Sequence, residues 1–203
     1  GLVGSEMCIR DRVISTALRE AATWPEHIRV TVNVSAMQFR TLEVAEVFER
    51  ALALTGIAPH RVEVEITESM IMSDIERTQD ALQRLRKLGV RIALDDFGTG
   101  YSSLMHLVRL PIDRIKIDNF FVSRCLSSAE CAKIIRAILR LAAEFDLEVI
   151  AEGIETPEQL QFARNAGCQE GQGYLLGVPS ESLPTQAADA SANSNPAELT
   201  RAA

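Results

Sequence analysis

The sequence predicts an α/β fold of the (β/α)-barrel type, in which parallel strands alternate with helices. Six short runs have the length and composition of strands, and they cover residues 29–34, 61–66, 91–94, 114–117, 148–151 and 171–175. Helical patterns, with apolar residues at three- and four-residue steps, cover residues 13–24, 75–88 and 130–145. The strands recur every ~20 to 36 residues, which fits a barrel of successive βα units.

The predicted strands are polar on one face and aliphatic on the other. Side chains alternate across a strand, so Thr31 and Asn33 share one face while Val30 and Val32 share the other. In a barrel, the aliphatic faces pack against helices and the polar faces point inward. Active sites of (β/α) barrels lie at the carboxyl ends of the strands. The polar residues that fall there are Asn33, Glu65, Asp95, Asp96, Lys116 and Glu152.

A buried group of carboxylates needs cations, because an unpaired buried charge costs several kcal/mol. Asp95 and Asp96 repel each other unless a cation lies between them or water screens both. Taken alone, the pair could bind metal or could form a turn or helix cap. Lys116 could be catalytic or could form an internal ion pair. Glu63 lies one step deeper on the inward face, and we predict that it pairs with a neighbouring Arg or Lys.

Composition limits the class of protein. The chain has 203 residues, 47% hydrophobic and 24% charged, which is typical of one globular domain with a sizeable core. Its net charge of −7 argues against binding to polymeric nucleic acid. The four cysteines show no CxxC pair and no zinc-ligand spacing, which favours a reducing compartment. No apolar run approaches the ~18 to 20 residues that span a bilayer, so we expect a cytoplasmic domain, although a longer protein could carry a membrane anchor elsewhere.

Six segments, in order along the chain, carry a family resemblance: NVSAMQF, EITES, DDFGTGYSSL, LPIDRIKID, AEGIE and QGYLLG. The series resembles the EAL family of cyclic-di-GMP phosphodiesterases. This resemblance implies a (β/α)8 TIM-type barrel whose carboxyl-end mouth binds cyclic-di-GMP and two Mg²⁺ or Mn²⁺ ions. It also implies hydrolysis of cyclic-di-GMP to linear pGpG by metal-activated water. Oxygen ligands suit these hard ions better than they suit zinc.

The resemblance implies a role for each matched residue. The matched metal ligands are Asn33, Glu65, Asp95, Asp96 and Glu152. The first three would hold one ion, the last two would hold a second, and Asp95 would bridge the ions. Lys116 would position the attacking water and offset charge at the phosphate, with Glu152 as the alternative base. The loop 97–103 couples the site to a homodimer contact in the family. Positions matched to substrate or loop support are Glu68, Glu155 and Gln172.

The sequence also suggests segment boundaries. We expect a foreign leader over 1–12, a partial EAL domain over 13–183 and a flexible tail over 184–203. The tripeptide Glu-Ala-Leu, whose glutamate is an expected metal ligand in the family, does not occur in the sequence. The first recognisable family element is the helix before the third barrel strand. We therefore expect this chain to lack the first two strands and to show little turnover alone.

Two functional classes fit the sequence. In the first, the chain belongs to a metal-dependent cyclic-di-GMP phosphodiesterase, with upstream sensory or cyclase domains in a longer protein. In the second, it is a non-catalytic receptor for cyclic-di-GMP or a partner-binding signalling module. The full set of metal positions after residue 13 favours the enzyme, since a receptor has less need of every ligand.

Overall fold

The structure, a computed structural model, describes residues 2–40, 44–98, 109–179 and 200–201. These residues form two compact units. The first contains the described residues up to Asp95 together with 109–113, and the second contains 96–98 and the described residues from Arg114 onward. The predicted loop 97–103 and the predicted tail 184–203 therefore lie mostly outside the described residues.

The first unit contains three parallel strands and five helices among its described residues. In chain order these are α1 (Leu2–Ala21), β1 (Val30–Asn33), α2 (Ala36–Arg40), α3 (Val44–Thr55), a 3₁₀ turn (Pro59–Arg61), β2 (Val62–Thr67), α4 (Glu68–Ser73), α5 (Ile75–Lys87) and β3 (Arg91–Phe97). The last two residues of β3 belong to the second unit. Strand β2 pairs in parallel with β1 and with β3. The aliphatic residues of β2 are fully buried, which is typical of a parallel sheet covered by helices.

The second unit repeats this pattern. It contains β4 (Arg114–Ile117), α6 (Asn119–Val122), α7 (Ala129–Glu144), β5 (Glu148–Ala151), α8 (Pro157–Ala166), β6 (Glu170–Gly171) and β7 (Thr200–Arg201). The pairs β4–β5, β5–β6 and β6–β7 are all parallel. Helix α7 begins at the cap residue Ser128, whose hydroxyl accepts from the Cys131 N–H, and it buries an apolar face that includes Ile135 and Ile138.

The first helix differs from the prediction. The sequence pattern predicted a helix over 13–24, but α1 runs continuously from Leu2 to Ala21. Residues 2–12 contain no proline. One interior glycine costs only ~1 kcal/mol, and adding residues to an existing helix is much easier than starting one. The carboxyl end falls short of residue 24 because the Thr23 N–H and hydroxyl both bond to the Glu20 carbonyl in a turn.

The sixth strand was also predicted incorrectly. The prediction covered 171–175, whereas β6 is limited to Glu170–Gly171. The chain then turns, because the N–H groups of Leu176 and Gly177 both donate to the Gly173 carbonyl. Gly173 has φ +154°, and a Cβ atom there would lie 2.2 Å from the backbone N and O of Ile154. Only glycine permits this close approach, so the turn replaces the expected extension of the strand.

The three cysteines of the second unit, Cys125, Cys131 and Cys168, are buried free thiols. Burial raises the pKa of the Cys168 thiol from its ordinary value of 9.0 to about 12. We expect iodoacetamide at pH 8 to alkylate Cys168 roughly 1000-fold more slowly in the folded chain than in urea, because the thiolate is the reactive form. Peptide mass spectrometry measures both rates, and equal rates would contradict burial.

The same pKa predicts a pH dependence of stability. The folded-state pKa is raised, so the contribution of Cys168 to stability is fully present below pH 9.0. That contribution is lost as the pH rises from 9.0 to about 12, where the unfolded chain releases the proton more readily.

Candidate active site

Three of the predicted ligands lie on one face of the first unit, at the carboxyl ends of its strands. Asn33 ends β1 and lies in register with Glu65 on β2. Two residues further along β2, Thr67 lies in register with Asp95 on β3. Neighbours in register and residues two apart on a strand share a face. The parallel register therefore brings Asn33, Glu65 and Asp95 to the same side, with Glu65 only 7% exposed.

Asp96 breaks the alternation of β3. In a regular strand, Asp95 and Asp96 would point to opposite faces. Asp96 instead has φ +55°, a left-handed conformation that non-glycine residues seldom adopt and that Asp tolerates better than most. In the second unit, carboxylate oxygens of Asp96 and Glu152 lie within 4.8 Å of each other. The local backbone therefore supports a close approach of two like charges.

Lys116 forms an ion pair with Glu152. The distance from Lys116 Nζ to Glu152 Oε1 is 2.7 Å, and the two side chains are 5% and 18% exposed. Lys116 lies on the inward face of β4, and Glu152 directly follows β5. The Glu152 N–H donates to the Ile117 carbonyl at 3.1 Å, which continues the β4–β5 ladder to the site. The ammonium partly neutralises the Glu152 carboxylate.

The loop after Glu152 is tightly held. Gly153 has φ +69°, and a Cβ atom there would lie 2.2 Å from Asn119 Oδ1, so the Asn119 side chain packs directly on the glycine backbone. The buried Gln159 side chain accepts from the N–H groups of Glu155 and Thr156 at 2.8 and 3.1 Å. Thr156 and Gln159 complete a capping box for α8. The spacing T-P-E-Q is a known signature of such a box and could have identified Gln159 from the sequence.

The supporting positions lie at the same ends of the strands. Glu68, in the first turn of α4 directly after β2, is 3% exposed. Glu155 and Gln172 are exposed. The Gln172 backbone joins β5 to the turn after β6, since its N–H donates to Ala151 and its carbonyl accepts from Ile154, both at 2.9 Å.

The inward face also contains structural ion pairs. Glu63 Oε2 lies 3.5 Å from Arg91 Nε, which confirms the predicted internal pair. Arg114, only 3% exposed, bonds to Glu148 and to Glu170, the latter at 2.8 Å. These groups lie at the amino ends of their strands. Arg114 lies two residues before Lys116 in the predicted strand 114–117, and the sequence did not identify its partners.

The oxygen ligands fit a hard divalent cation. Asp96 and Glu152 supply carboxylates at close range, and the ion pair with Lys116 engages Oε1 of Glu152. Carboxylate oxygens are typical ligands of Mg²⁺, Mn²⁺ and Ca²⁺, whereas zinc sites favour His and Cys. Asp96 and Glu152 are therefore candidate ligands for a metal ion of this class.

A sequence model of the EAL domain matches residues 7–179. The chain belongs to the EAL domain family. It is 42% identical to the cyclic di-GMP phosphodiesterase NbdA of Pseudomonas aeruginosa, over 76% of this chain and 20% of NbdA. The chain also covers 21% of the length of each of two other curated relatives. It therefore spans about a fifth of the length of these three proteins.

Solved structures of EAL proteins share the fold. The complex of the MucR phosphodiesterase of Pseudomonas aeruginosa with c-di-GMP has a TM-score of 0.83 and 35% identity, covering 92% of this chain and 76% of that one. The manganese and c-di-GMP complex of Klebsiella pneumoniae BlrP1 has a TM-score of 0.76 and 27% identity, covering 82% and 43%. The predicted fold class, an incomplete (β/α)8 barrel, is confirmed.

The EAL match starts at residue 7, six residues before the predicted start of the domain at residue 13. The foreign origin of the leader stays a prediction. Among the described helices, none is long and apolar enough to cross a bilayer.

Proposed function

We propose that this EAL domain takes part in the hydrolysis of cyclic-di-GMP to linear pGpG, which is supported by its similarity to the cyclic di-GMP phosphodiesterase NbdA. The observation that carries the proposal is the group formed by Lys116, Glu152 and Asp96, in which a buried ammonium contacts one of two closely spaced carboxylates. A phosphodiesterase needs both kinds of group. The carboxylates hold metal, and a cation offsets the negative charge of the phosphate.

The proposed cofactors are two Mg²⁺ or Mn²⁺ ions. One would be held by Asn33, Glu65 and Asp95, which share a face of the first unit. The other would be held by Asp96 and Glu152, and the family resemblance implies that Asp95 is a ligand of both ions. When bound, such ions lower the pKa of a coordinated water and stabilise charge on the phosphodiester.

The protein groups have separate proposed roles. Lys116 orients the attacking water and offsets negative charge near the phosphate, and Glu152 is the alternative base. Gln159 and Asn119 fix the loop that carries Glu152. The proposed supports of substrate or loop are Glu68, Glu155 and Gln172. We further propose a cytoplasmic location, a homodimer through the loop after Asp96, and sensory or cyclase domains in a longer protein.

The test measures binding and product formation separately on the 203-residue chain. We expect c-di-GMP to bind in calorimetry only when Mg²⁺ or Mn²⁺ is present, and any product separated by chromatography to be pGpG. Little turnover is expected from this chain. Lys116→Met should abolish the remaining turnover, whereas Lys133→Met, an exposed lysine on α7, should not.

Metal-dependent binding with the dinucleotide left intact, both by this chain and by a longer protein that contains it, would favour the receptor over the enzyme. The absence of binding with either ion would overturn the proposal.

A further inference from the structure

The inward face of β4 carries two basic residues, each paired with acidic residues of neighbouring strands. Arg114 bonds to Glu148 at the start of β5 and to Glu170 at the start of β6. Lys116, two residues further along β4, bonds to Glu152 after the end of β5. The charges therefore form two layers, one at the amino ends of the strands and one at the carboxyl ends.

By ideal strand geometry, the two layers lie within the reach of one lysine side chain. Residues two apart on a strand are separated by ~6.7 Å and point the same way. A lysine side chain is about that long and flexible, whereas the arginine fork is planar. Arg114 and Lys116 are 3% and 4% exposed, so both are surrounded by a medium in which charges attract strongly. If Arg114 were removed, the buried Glu170 carboxylate would attract the other cation of β4, which is Lys116.

We propose that Arg114 is a positioning residue for Lys116: by engaging Glu148 and Glu170, it keeps the Lys116 ammonium on Glu152 at the carboxyl end of the strands. The inference rests on the proposed function, since Lys116 acts on the phosphate only from that end. The register between β4 and β5 supports this proposal. Arg114 lies opposite Glu148, and Lys116 lies opposite Ile150, so no acidic residue of β5 directly faces the lysine.

The chain offers a direct observable, because it contains only three lysines, Lys87, Lys116 and Lys133. Lysine-selective ¹³C,¹⁵N labelling gives one Cε–Nζ signal for each, and Lys87→Arg and Lys133→Arg assign them. The experiment is done without metal or nucleotide at one pH. We expect Glu152→Gln to shift the Lys116 signal in the native chain, because the 2.7 Å ion pair is lost.

We expect Arg114→Met to abolish the shift of the Lys116 signal that Glu152→Gln causes in the native chain. In the Arg114→Met background, Glu152→Gln should leave the Lys116 signal unchanged, and Glu170→Gln should now shift it. The triple variant Arg114→Met, Glu148→Gln, Glu170→Gln removes the competing carboxylates and should restore the response to Glu152→Gln. This variant also removes the uncompensated buried charge that Arg114→Met alone leaves on Glu170, so it serves as the folded variant should Arg114→Met alone fail to fold.

A purely structural role for Arg114 gives a different result. The proposal is overturned if Glu152→Gln shifts the Lys116 signal equally with and without Arg114, or if the triple variant does not restore the response. The Lys87 and Lys133 signals and the thermal unfolding curve control for general disruption. Failure of c-di-GMP hydrolysis would not affect this measurement, so the two proposals fail separately.

Discussion

Replacing Asp96 by asparagine is expected to weaken binding of Mn²⁺ to this chain at least ~100-fold. Substitutions of residues that only support metal ligands already cost ~10- to 100-fold. Asparagine keeps the shape and one oxygen of the side chain but removes the negative charge beside Glu152. Glu152→Gln should have an effect of similar size. Electron paramagnetic resonance of free Mn²⁺ measures the affinity directly and requires neither nucleotide nor turnover.

Two matched variants separate the site from general effects of charge. Glu158→Gln removes an exposed carboxylate on α8 of the same unit and should leave Mn²⁺ affinity unchanged. Lys116→Met removes the cation beside Glu152, so we expect Mn²⁺ to bind at least as tightly as to the native chain. If Glu158→Gln weakened binding as much as Asp96→Asn, Mn²⁺ would be bound nonspecifically, and the assignment of Asp96 would be wrong.

The polar inward face could be predicted from sequence because alternation in a strand is a local property. Glu63 and Arg114 are both buried on the side that the two-residue period predicts. Parallel register then brought Asn33 and Glu65 together, as expected for neighbouring strands in a barrel. Each of these conclusions needs only the pattern within a strand and the rule that active sites lie at carboxyl ends.

The remaining features depend on distant residues or on single backbone angles. Arg114 meets partners 34 and 56 residues away, and many arrangements of acidic residues fit the same strand pattern. The turn that shortens β6 depends on the approach of Gly173 to Ile154. The positive φ of Asp96 is set by its surroundings, since Asp adopts ordinary strand angles as well.

The contacts of Arg61 also depend on residues that are distant in the sequence, and they have a larger effect on stability. The sequence placed it simply at the start of a strand, but its side chain is the centre of a buried cluster of carbonyl groups. Arg61 is 6% exposed, and its Nε donates to the Ile28 carbonyl at 3.0 Å. Its Nη2 lies within hydrogen-bond distance of three more carbonyls, at 2.9, 3.3 and 3.1 Å: Ala21, Trp24 and Pro25. The guanidinium thus satisfies the carboxyl end of α1 and the segment that leads to β1.

Arg61→Met is therefore expected to lower the free energy of unfolding of the first unit by about 3 to 5 kcal/mol. Each buried carbonyl left unbonded costs ~1 to 3 kcal/mol, and whole domains are stable by only ~5 to 15 kcal/mol. Arg61→Lys keeps the charge but not the fork of donors, so its loss should be intermediate. Trp24, the single tryptophan, lies in this cluster, so its fluorescence in urea reports the transition locally. Arg50→Met, on an exposed position of α3, should change stability by less than ~0.5 kcal/mol, and an equal urea midpoint for the two methionine variants would show that the cluster does not stabilise the unit.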